Sequence, residues 1–176
     1  HIDKSVLDKI SNAPERTQVL LNGVSLPKRS AYRAKVAGRL IFSGNMNFPP
    51  NYQAAIWFID NVFPLVIQAR PNAHLVIAGA NPVPELLQRA GDCIRITGYV
   101  ADMNDELAAS SLYVAPLITG GGFKNKVIEA LANRTYVAAT AMALEFLDAG
   151  TVSKLLVGDS AESLADRIIQ FLSHPE

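Results

Sequence analysis

The sequence predicts an α/β domain with a parallel sheet of about six strands and helices on both faces. Short apolar runs bounded by turn residues alternate with longer helical patterns, and this order is typical of βαβ units. The chain has 176 residues, of which 49% are hydrophobic. A chain of this length and composition can bury one substantial core, so we expect a single globular domain.

Each predicted element is a short run with its own signal. The six predicted strands are Arg39–Ser43, His74–Ala78, Cys93–Thr97, Leu112–Ala115, Tyr136–Ala139 and Lys154–Val157. The five predicted helices are Asn51–Ala69, Pro84–Ala90, Asn104–Ser110, Lys124–Asn133 and Ala161–Ser173. The last helix has the clearest pattern, because its apolar residues repeat at helical spacing and Asp159 with Glu162 resembles a capping box.

The first 37 residues predict a different kind of segment. Gln18–Leu21 is a short apolar stretch that could form a stub strand, and Asn22-Gly23 after it is a turn signal. The chain starts at His1, and the residues behind it lack the pattern of a secretory leader. We therefore expect residues 1–37 to be a linker from a missing amino-terminal domain and residues 38–176 to be the folded domain.

Composition disfavours several classes of protein. Sixteen basic and sixteen acidic residues give a net charge of zero, and without a basic stripe we expect no nucleic-acid partner. Cys93 is the only cysteine, which excludes an internal disulfide and agrees with a cytoplasmic location. No apolar run approaches the roughly 20 residues that cross a bilayer, so we expect no transmembrane segment. Peripheral membrane contact of an intact protein stays open.

The loop after the fourth predicted strand carries the strongest chemical signal. Gly120–Gly122 would let the backbone approach a ligand closely, and the next helix would offer free amides and the positive end of its dipole. Lys124 and Lys126 add mobile positive charge that suits a diphosphate. Glu129, about one turn later, could accept hydrogen bonds from both hydroxyls of a ribose. Together these residues predict a nucleotide site.

Simpler interpretations compete with this one. The glycines could form a flexible connection, and Glu129 could be a solvated helix residue paired with Lys126 at i, i+3. A dehydrogenase is disfavoured, because the loop after the first strand has one glycine and no Gly-x-Gly-x-x-Gly pattern. No catalytic residue and no metal ligand can be assigned from the sequence.

The motifs of this chain resemble those of a known family from Arg39 onward. They are Ile41–Asn51, Ala73–Gly79, Thr97–Asp102, Ala115–Leu117 and Gly120–Ala132, with Asn22-Gly23-Val24 in front. This set is similar to the C-terminal, donor-binding domain of retaining GT-B glycosyltransferases of the group 1, family 4 type. The resemblance implies a Rossmann-like half of a GT-B fold.

The resemblance also implies an activity and a set of donor-binding residues. The chain would bind a nucleoside-diphosphate sugar and transfer a hexosyl group, with retention, to an acceptor held by the missing amino-terminal domain. It would need no cofactor and no metal, and the fragment alone would be inactive. Glu129 would hold the ribose, and Gly98, Tyr99 and Val100 would lie beside the nucleobase. The diphosphate would lie at Gly122, Phe123, Lys124, Asn125 and Lys126, with Gly44 beneath the phosphates. The remaining donor-binding residues would be Asn45, Met46, Asn47, Gly120 and Gly121.

The chain departs from the family pattern at three places. Gly121 stands where many relatives have a Glu, and Asn45–Asn47 stand where relatives often have Arg or Lys. Asn133–Val137 replaces the usual Gly-x-Pro-Val-Val turn. Two alternatives therefore stay open, namely a degenerate module that binds nucleotide sugar or serves assembly without catalysis, and a sugar-nucleotide epimerase of similar architecture.

Overall fold

The computed structural model describes residues 2–11, 18, 22–26 and 34–174. Its strands are β1 (Val36–Ser43), β2 (His74–Ala78), β3 (Ile94–Ile96), β4 (Ser110–Ala115), β5 (Tyr136–Ala139) and β6 (Leu156–Val157). Its helices are α1 (Ile2–Ser11), α2 (Pro49–Trp57), α3 (Phe63–Ala69), α4 (Pro84–Leu87), α5 (Met103–Ala109), α6 (Asn125–Ala132), α7 (Ala141–Leu144), α8 (Ala149–Val152) and α9 (Ala161–Ser173).

All six strands form one parallel sheet in the order β3-β2-β1-β4-β5-β6. This is the strand order of a Rossmann fold. In the centre of the sheet, Leu40 of β1 pairs with Leu112 of β4, and Ile41 pairs with Tyr113. The predicted fold class is confirmed.

The helices cover both faces of the sheet. Right-handed crossovers put helices on opposite faces when successive strands are added in opposite directions. The chain moves outward from β1 to β2 through α2 and α3, and it moves the other way from β4 to β5 through α6. In agreement, α3 packs against α9, and α5 packs against α6. All six residues of β4 are buried as a result.

The helix predicted over Asn51–Ala69 is continuous but not uniform. Between α2 and α3, Phe58–Val62 forms a π-helical turn, and the amide of Phe63 donates to the carbonyl of Phe58. Pro64 explains this widening, because proline has no N–H to donate to the carbonyl four residues earlier and its ring would clash with that carbonyl. The turn lets one long helix pass the proline without a break.

Several predicted boundaries are wrong by a few residues. Ser110, predicted at the end of a helix, is the first residue of β4. The last strand contains only Leu156 and Val157, because Lys154 and Leu155 belong to the turn after α8. The capping box of α9 is formed by Ser160 and Ser163. The carboxylate of Asp159 instead accepts a hydrogen bond from the amide of Ala141.

The amino-terminal segment also differs from the expectation. Ile2–Ser11 forms α1, and β1 already begins at Val36, so parts of the predicted linker are regular structure. The possible stub strand at Gln18–Leu21 lies outside the described residues except for Gln18, which is not in a strand. The proposed domain boundary at residue 38 stays a prediction.

Candidate functional site

The candidate site lies at the carboxyl edge of the sheet, where β1 and β4 are neighbours. The chain leaves these two strands in opposite directions, which opens a crevice at the strand ends. The loop 44–48 follows β1 and the loop 116–124 follows β4. Both loops lead directly into helices, α2 and α6, so two positive helix ends meet at this crevice.

Backbone hydrogen bonds tie together the loops after β1, β2 and β3. The amide of Gly44 donates to the carbonyl of Ala78 at 3.0 Å, and the amide of Met46 donates to Ala80 at 2.8 Å. The amide of Gly79 donates to Gly98 at 3.0 Å. The three loops therefore form one connected rim on this side of the crevice.

The glycine loop needs glycine at two of its three positions. Gly120 and Gly122 have φ values of 93° and 82°, in the left-handed region that other residues rarely adopt. A Cβ on Gly120 would also lie 3.2 Å from the ring carbons of Pro50 at the start of α2. The loop after β4 thus rests against the helix that follows β1. This geometry argues against a merely flexible connection.

Lys124 holds this loop in place from inside. Its side chain is only 8% exposed, and its ammonium donates to the carbonyl of Gly122 at 2.7 Å. The same ammonium lies 3.6 Å from the carboxylate of Glu145. The structure therefore gives the Lys124 charge a structural role, in place of the mobile charge predicted for a diphosphate.

The amino end of α6 offers free donors, whereas that of α2 does not. The helix α6 has no side-chain cap, and the amides of Asn125 and Lys126 donate to no group in the part of the chain that the structure describes. In α2, Pro49 and Pro50 occupy the first two positions and have no N–H. An anion at this crevice would therefore find its backbone donors at α6.

Lys126 reaches from α6 across to the loop after β1. Its ammonium donates to the side-chain oxygen of Asn51 at 2.5 Å and lies 5.0 Å from the centre of the Phe42 ring. The pKa of Lys126 is lowered to about 8, mainly by burial and also by the positive charge of Lys124, while Glu129 opposes the shift. An anion that enters the crevice would stabilise the charged form of this desolvated ammonium.

Glu129 lies in a groove and forms no side-chain hydrogen bond or ion pair with the described residues. The groove has a volume of about 320 Å³, and its walls include Val24, Asn104 and Ile128. The side chain of Asn22 donates to Asn125 at 3.0 Å, which places Asn22 beside the start of α6. The pairing of Glu129 with Lys126, which was the simpler alternative to ribose binding, is absent as a contact, and only a longer-range charge interaction remains.

Of the other predicted site residues, some have exposed side chains and others pack against the protein. Asn45 and Asn47 are exposed at the crevice edge, and Tyr99 is 80% exposed on the loop after β3. Phe123 packs against Phe146, with ring centres 4.5 Å apart. The side chain of Met46 belongs to the core, because the turn after β1 directs it inward and leaves it with no exposed surface. A donor contact at Met46 stays a prediction and would have to come from its backbone.

Asn51 is a site residue that sequence reasoning did not identify. It was predicted as the start of a helix and as the end of the Ile41–Asn51 motif, without a role in the site, yet its amide joins Lys126 to the loop after β1. A sequence signal did exist, because an asparagine directly behind Pro49-Pro50 lies in the first helical turn, next to the carboxyl edge of the sheet.

Metal binding and membrane spanning can be checked for the ranges that the structure describes. In those ranges, no group of three or more His, Cys, Asp and Glu side chains could hold a metal ion. None of the described helices has the length and apolar character needed to cross a membrane. The expectation that catalysis needs no metal and no cofactor stays a prediction.

Comparison with known proteins identifies the family. The fold and the site define an α/β domain with a crevice at the carboxyl edge of its sheet, lined by free helix amides and a lysine ammonium. The family model for glycosyl transferases group 1 matches residues 37–174. The chain therefore belongs to the group 1 glycosyl transferases.

A protein of Klebsiella pneumoniae, described as an uncharacterized 44.6 kDa protein in the cps region, is 29% identical over 143 residues. That match covers 75% of this chain and 36% of the relative, so the chain spans about a third of this curated relative.

Solved structures share the fold at low sequence identity. Anabaena HepE in complex with UDP-glucose matches with a TM-score of 0.71 and 18% identity, covering 97% of this chain and 51% of that one. TarM of S. aureus, solved with UDP, matches with a TM-score of 0.66 and 17% identity, and the match covers 88% of this chain and 31% of TarM. The C-terminal domain of the group 1 protein LpcC from Francisella tularensis matches with a TM-score of 0.58 and 17% identity. That match covers 85% of this chain and 84% of the LpcC domain. The fold is thus that of one half of a GT-B glycosyltransferase.

Proposed function

We propose that this chain is the part of a glycosyltransferase that binds a nucleoside-diphosphate sugar. One observation carries the proposal: the free amides of α6, the glycine loop and the Lys126 ammonium converge where β1 and β4 are neighbours. These are the groups that hold a diphosphate in proteins. HepE and TarM, which share this fold, were solved with UDP or UDP-glucose, and this supports the same ligand class here.

The donor would lie along the crevice with its diphosphate at the start of α6. Asn125 and Lys126 would donate their backbone amides, and the Lys126 ammonium would approach from the side of Gly44. Glu129, with no competing partner among the described residues, would accept hydrogen bonds from the ribose hydroxyls. Gly98–Val100 would lie beside the nucleobase. Gly121 has no side chain to contact the sugar, so sugar recognition would need other groups.

The chemistry would be release of the nucleoside diphosphate during glycosyl transfer. Negative charge develops on the leaving phosphate, and preorganised amides with an ammonium stabilise such charge. We expect retention of anomeric configuration, an acceptor bound by a further domain, no cofactor and no metal. A cytoplasmic location, with or without peripheral membrane contact, belongs to the same proposal.

Titration calorimetry with a panel of nucleoside diphosphates tests the donor site. We expect the chain to bind at least one of them, and we expect Glu129→Gln to weaken its Kd about tenfold, because a neutral amide is a poorer partner for two hydroxyls. Asp166→Asn removes an exposed charge on α9 and should leave Kd unchanged. If no nucleoside diphosphate binds, the proposed function fails. If Glu129→Gln binds as tightly as the parent chain, the ribose assignment fails.

The purified chain should not transfer sugar by itself. We expect no glycosylated product by mass spectrometry when it is incubated with the nucleotide sugar whose nucleotide it binds and with candidate sugar or lipid acceptors. Transfer by the chain alone would show that the acceptor site lies within these 176 residues.

A further inference from the structure

Asn51 joins the two elements that form the proposed phosphate site. It lies in the first turn of α2 and is 8% exposed. Its side-chain oxygen accepts a hydrogen bond from the Lys126 ammonium at 2.5 Å, and its side-chain nitrogen donates to the carbonyl of Asn45 at 2.9 Å. An ammonium can only donate, so the oxygen must face Lys126 and the nitrogen must face the loop. Both ends of the amide are therefore committed.

The backbone of Gly44 packs directly against this pair. A Cβ placed on Gly44 would lie 2.7 Å from the side-chain nitrogen of Asn51 and 3.1 Å from the Lys126 ammonium. On its other side the ammonium lies 5.0 Å from the centre of the Phe42 ring. The side chains have little room to reorient, so Lys126 is held at one place relative to the loop after β1.

The charge of Lys126 is held without being neutralised. The charged groups that act on it are Lys124 at the start of α6 and Glu129 one turn along, and the Glu129 carboxylate forms no ion pair with it. The helix α2 has no charged residue in its sequence PPNYQAAIW. On β4, Tyr113 is buried, and burial raises the pKa of its hydroxyl. A neutral amide thus fixes the ammonium and leaves its charge available for an anion.

We propose that Asn51 is a positioning residue that holds the Lys126 ammonium against the loop after β1, without a compensating carboxylate, where the donor diphosphate enters. The ligand in this inference rests on the proposed function, but the positioning of Lys126 does not. A carboxylate at position 51 would compensate the charge, and an apolar side chain would release the ammonium from the loop.

The first experiment tests the positioning without a ligand. Lysine side-chain NMR on the full chain would follow the titration of Lys126. Its signal is assigned as the one that is absent from the spectrum of the Lys126→Met variant. We expect its midpoint near pH 8 in the parent chain, and we expect Asn51→Asp to shift it upward by at least one pH unit. Gln53→Glu adds the same charge on the exposed side of α2 and should shift it far less. Equal shifts in the two variants would overturn the inference.

The second experiment uses the nucleoside diphosphate found by calorimetry. If Asn51 acts through Lys126, Asn51→Ala should weaken binding about tenfold in the parent chain and by less than about twofold in a Lys126→Met background. Additive losses would mean that Asn51 contacts the ligand itself, and they would overturn the positioning role. Asn51→Ser replaces Asn51→Ala if the latter does not melt cooperatively. If the parent chain binds no nucleoside diphosphate, the proposed function fails, while the NMR titration still decides the role of Asn51.

Discussion

Gly79 shows how a single residue sets the spacing of the loops at the crevice. A Cβ at this position would lie 1.8 Å from the carbonyl oxygen of Gly44, far inside contact distance. The loops after β1 and β2 can approach each other only because no side chain stands between them. The same contact keeps the backbone of Gly44 beside Lys126.

Replacing Gly79 should therefore destabilise the domain. We expect Gly79→Ala to lower the free energy of unfolding by about 3 kcal/mol, because the loops must separate and lose their hydrogen bonds. Urea denaturation followed by circular dichroism measures this change. Gly91→Ala is the matched control, since nothing lies within 4 Å of a Cβ there. Equal effects of the two substitutions would show that the close approach is not needed.

Individual site residues were predictable to different degrees. The glycine loop and Glu129 follow from local sequence, because a strand, three glycines and a helix fix where they lie. The roles of Lys124 and Met46 depend on where a side chain turns after leaving the backbone. Lys124 turns inward to the glycine carbonyls and Met46 turns into the core. Sequence pattern does not decide that choice, because the Lys124 contact depends on the conformation of the glycine loop and the Met46 contact depends on core residues of other elements.

At the level of elements, strands were easier to predict than their boundaries. The buried runs of β1, β2 and β5 are nearly continuous apolar stretches, so they are visible in the sequence. The helices α7 and α8 were not predicted, because four residues are too few to show helical periodicity. Ser110 has no apolar signal, and its place in β4 comes from pairing with Val36.

The start of α9 gives a testable case at this level. The hydroxyl of Ser160 accepts a hydrogen bond from the amide of Ser163, and the hydroxyl of Ser163 accepts a hydrogen bond from the amide of Ser160. We expect Ser160→Ala to lower the free energy of unfolding by about 1 kcal/mol, because a helix amide loses its partner. Urea denaturation checks this value, with Ser25→Ala as a control outside any helix. No loss of stability would mean that the cap contributes nothing.

At the scale of the whole molecule, the free energy of unfolding should depend on pH in the alkaline range. Burial lowers the pKa of Lys126 to about 8, whereas an unfolded chain has lysines near 10.5. Between these values the unfolded state binds more protons, so stability should rise with pH. Burial also lowers the pKa of Lys35 to about 8, with the same sign. Tyr113 acts in the opposite direction above about pH 10, because its pKa is raised in the folded state.

Urea midpoints between pH 7 and pH 11 would measure this dependence. We expect a maximum near pH 10 in the parent chain and a smaller rise below it in Lys126→Met, because that variant has one lysine fewer to titrate. Lys154→Met removes an exposed lysine and should keep the full rise. A profile that falls steadily from pH 7 would contradict the assignment of Lys126 as a desolvated ammonium.

The backbone ties among the loops after β1, β2 and β3 also affect the thermodynamics of ligand capture. Loops that are already joined lose little conformational freedom when a ligand arrives, so most of the ordering cost would fall on the ligand itself. Hydrogen–deuterium exchange on the ligand-free chain should accordingly find the amides of Gly44, Met46 and Gly79 already slow to exchange. Changes in preference among ligands would then come from side chains on this rim, while its backbone stays fixed.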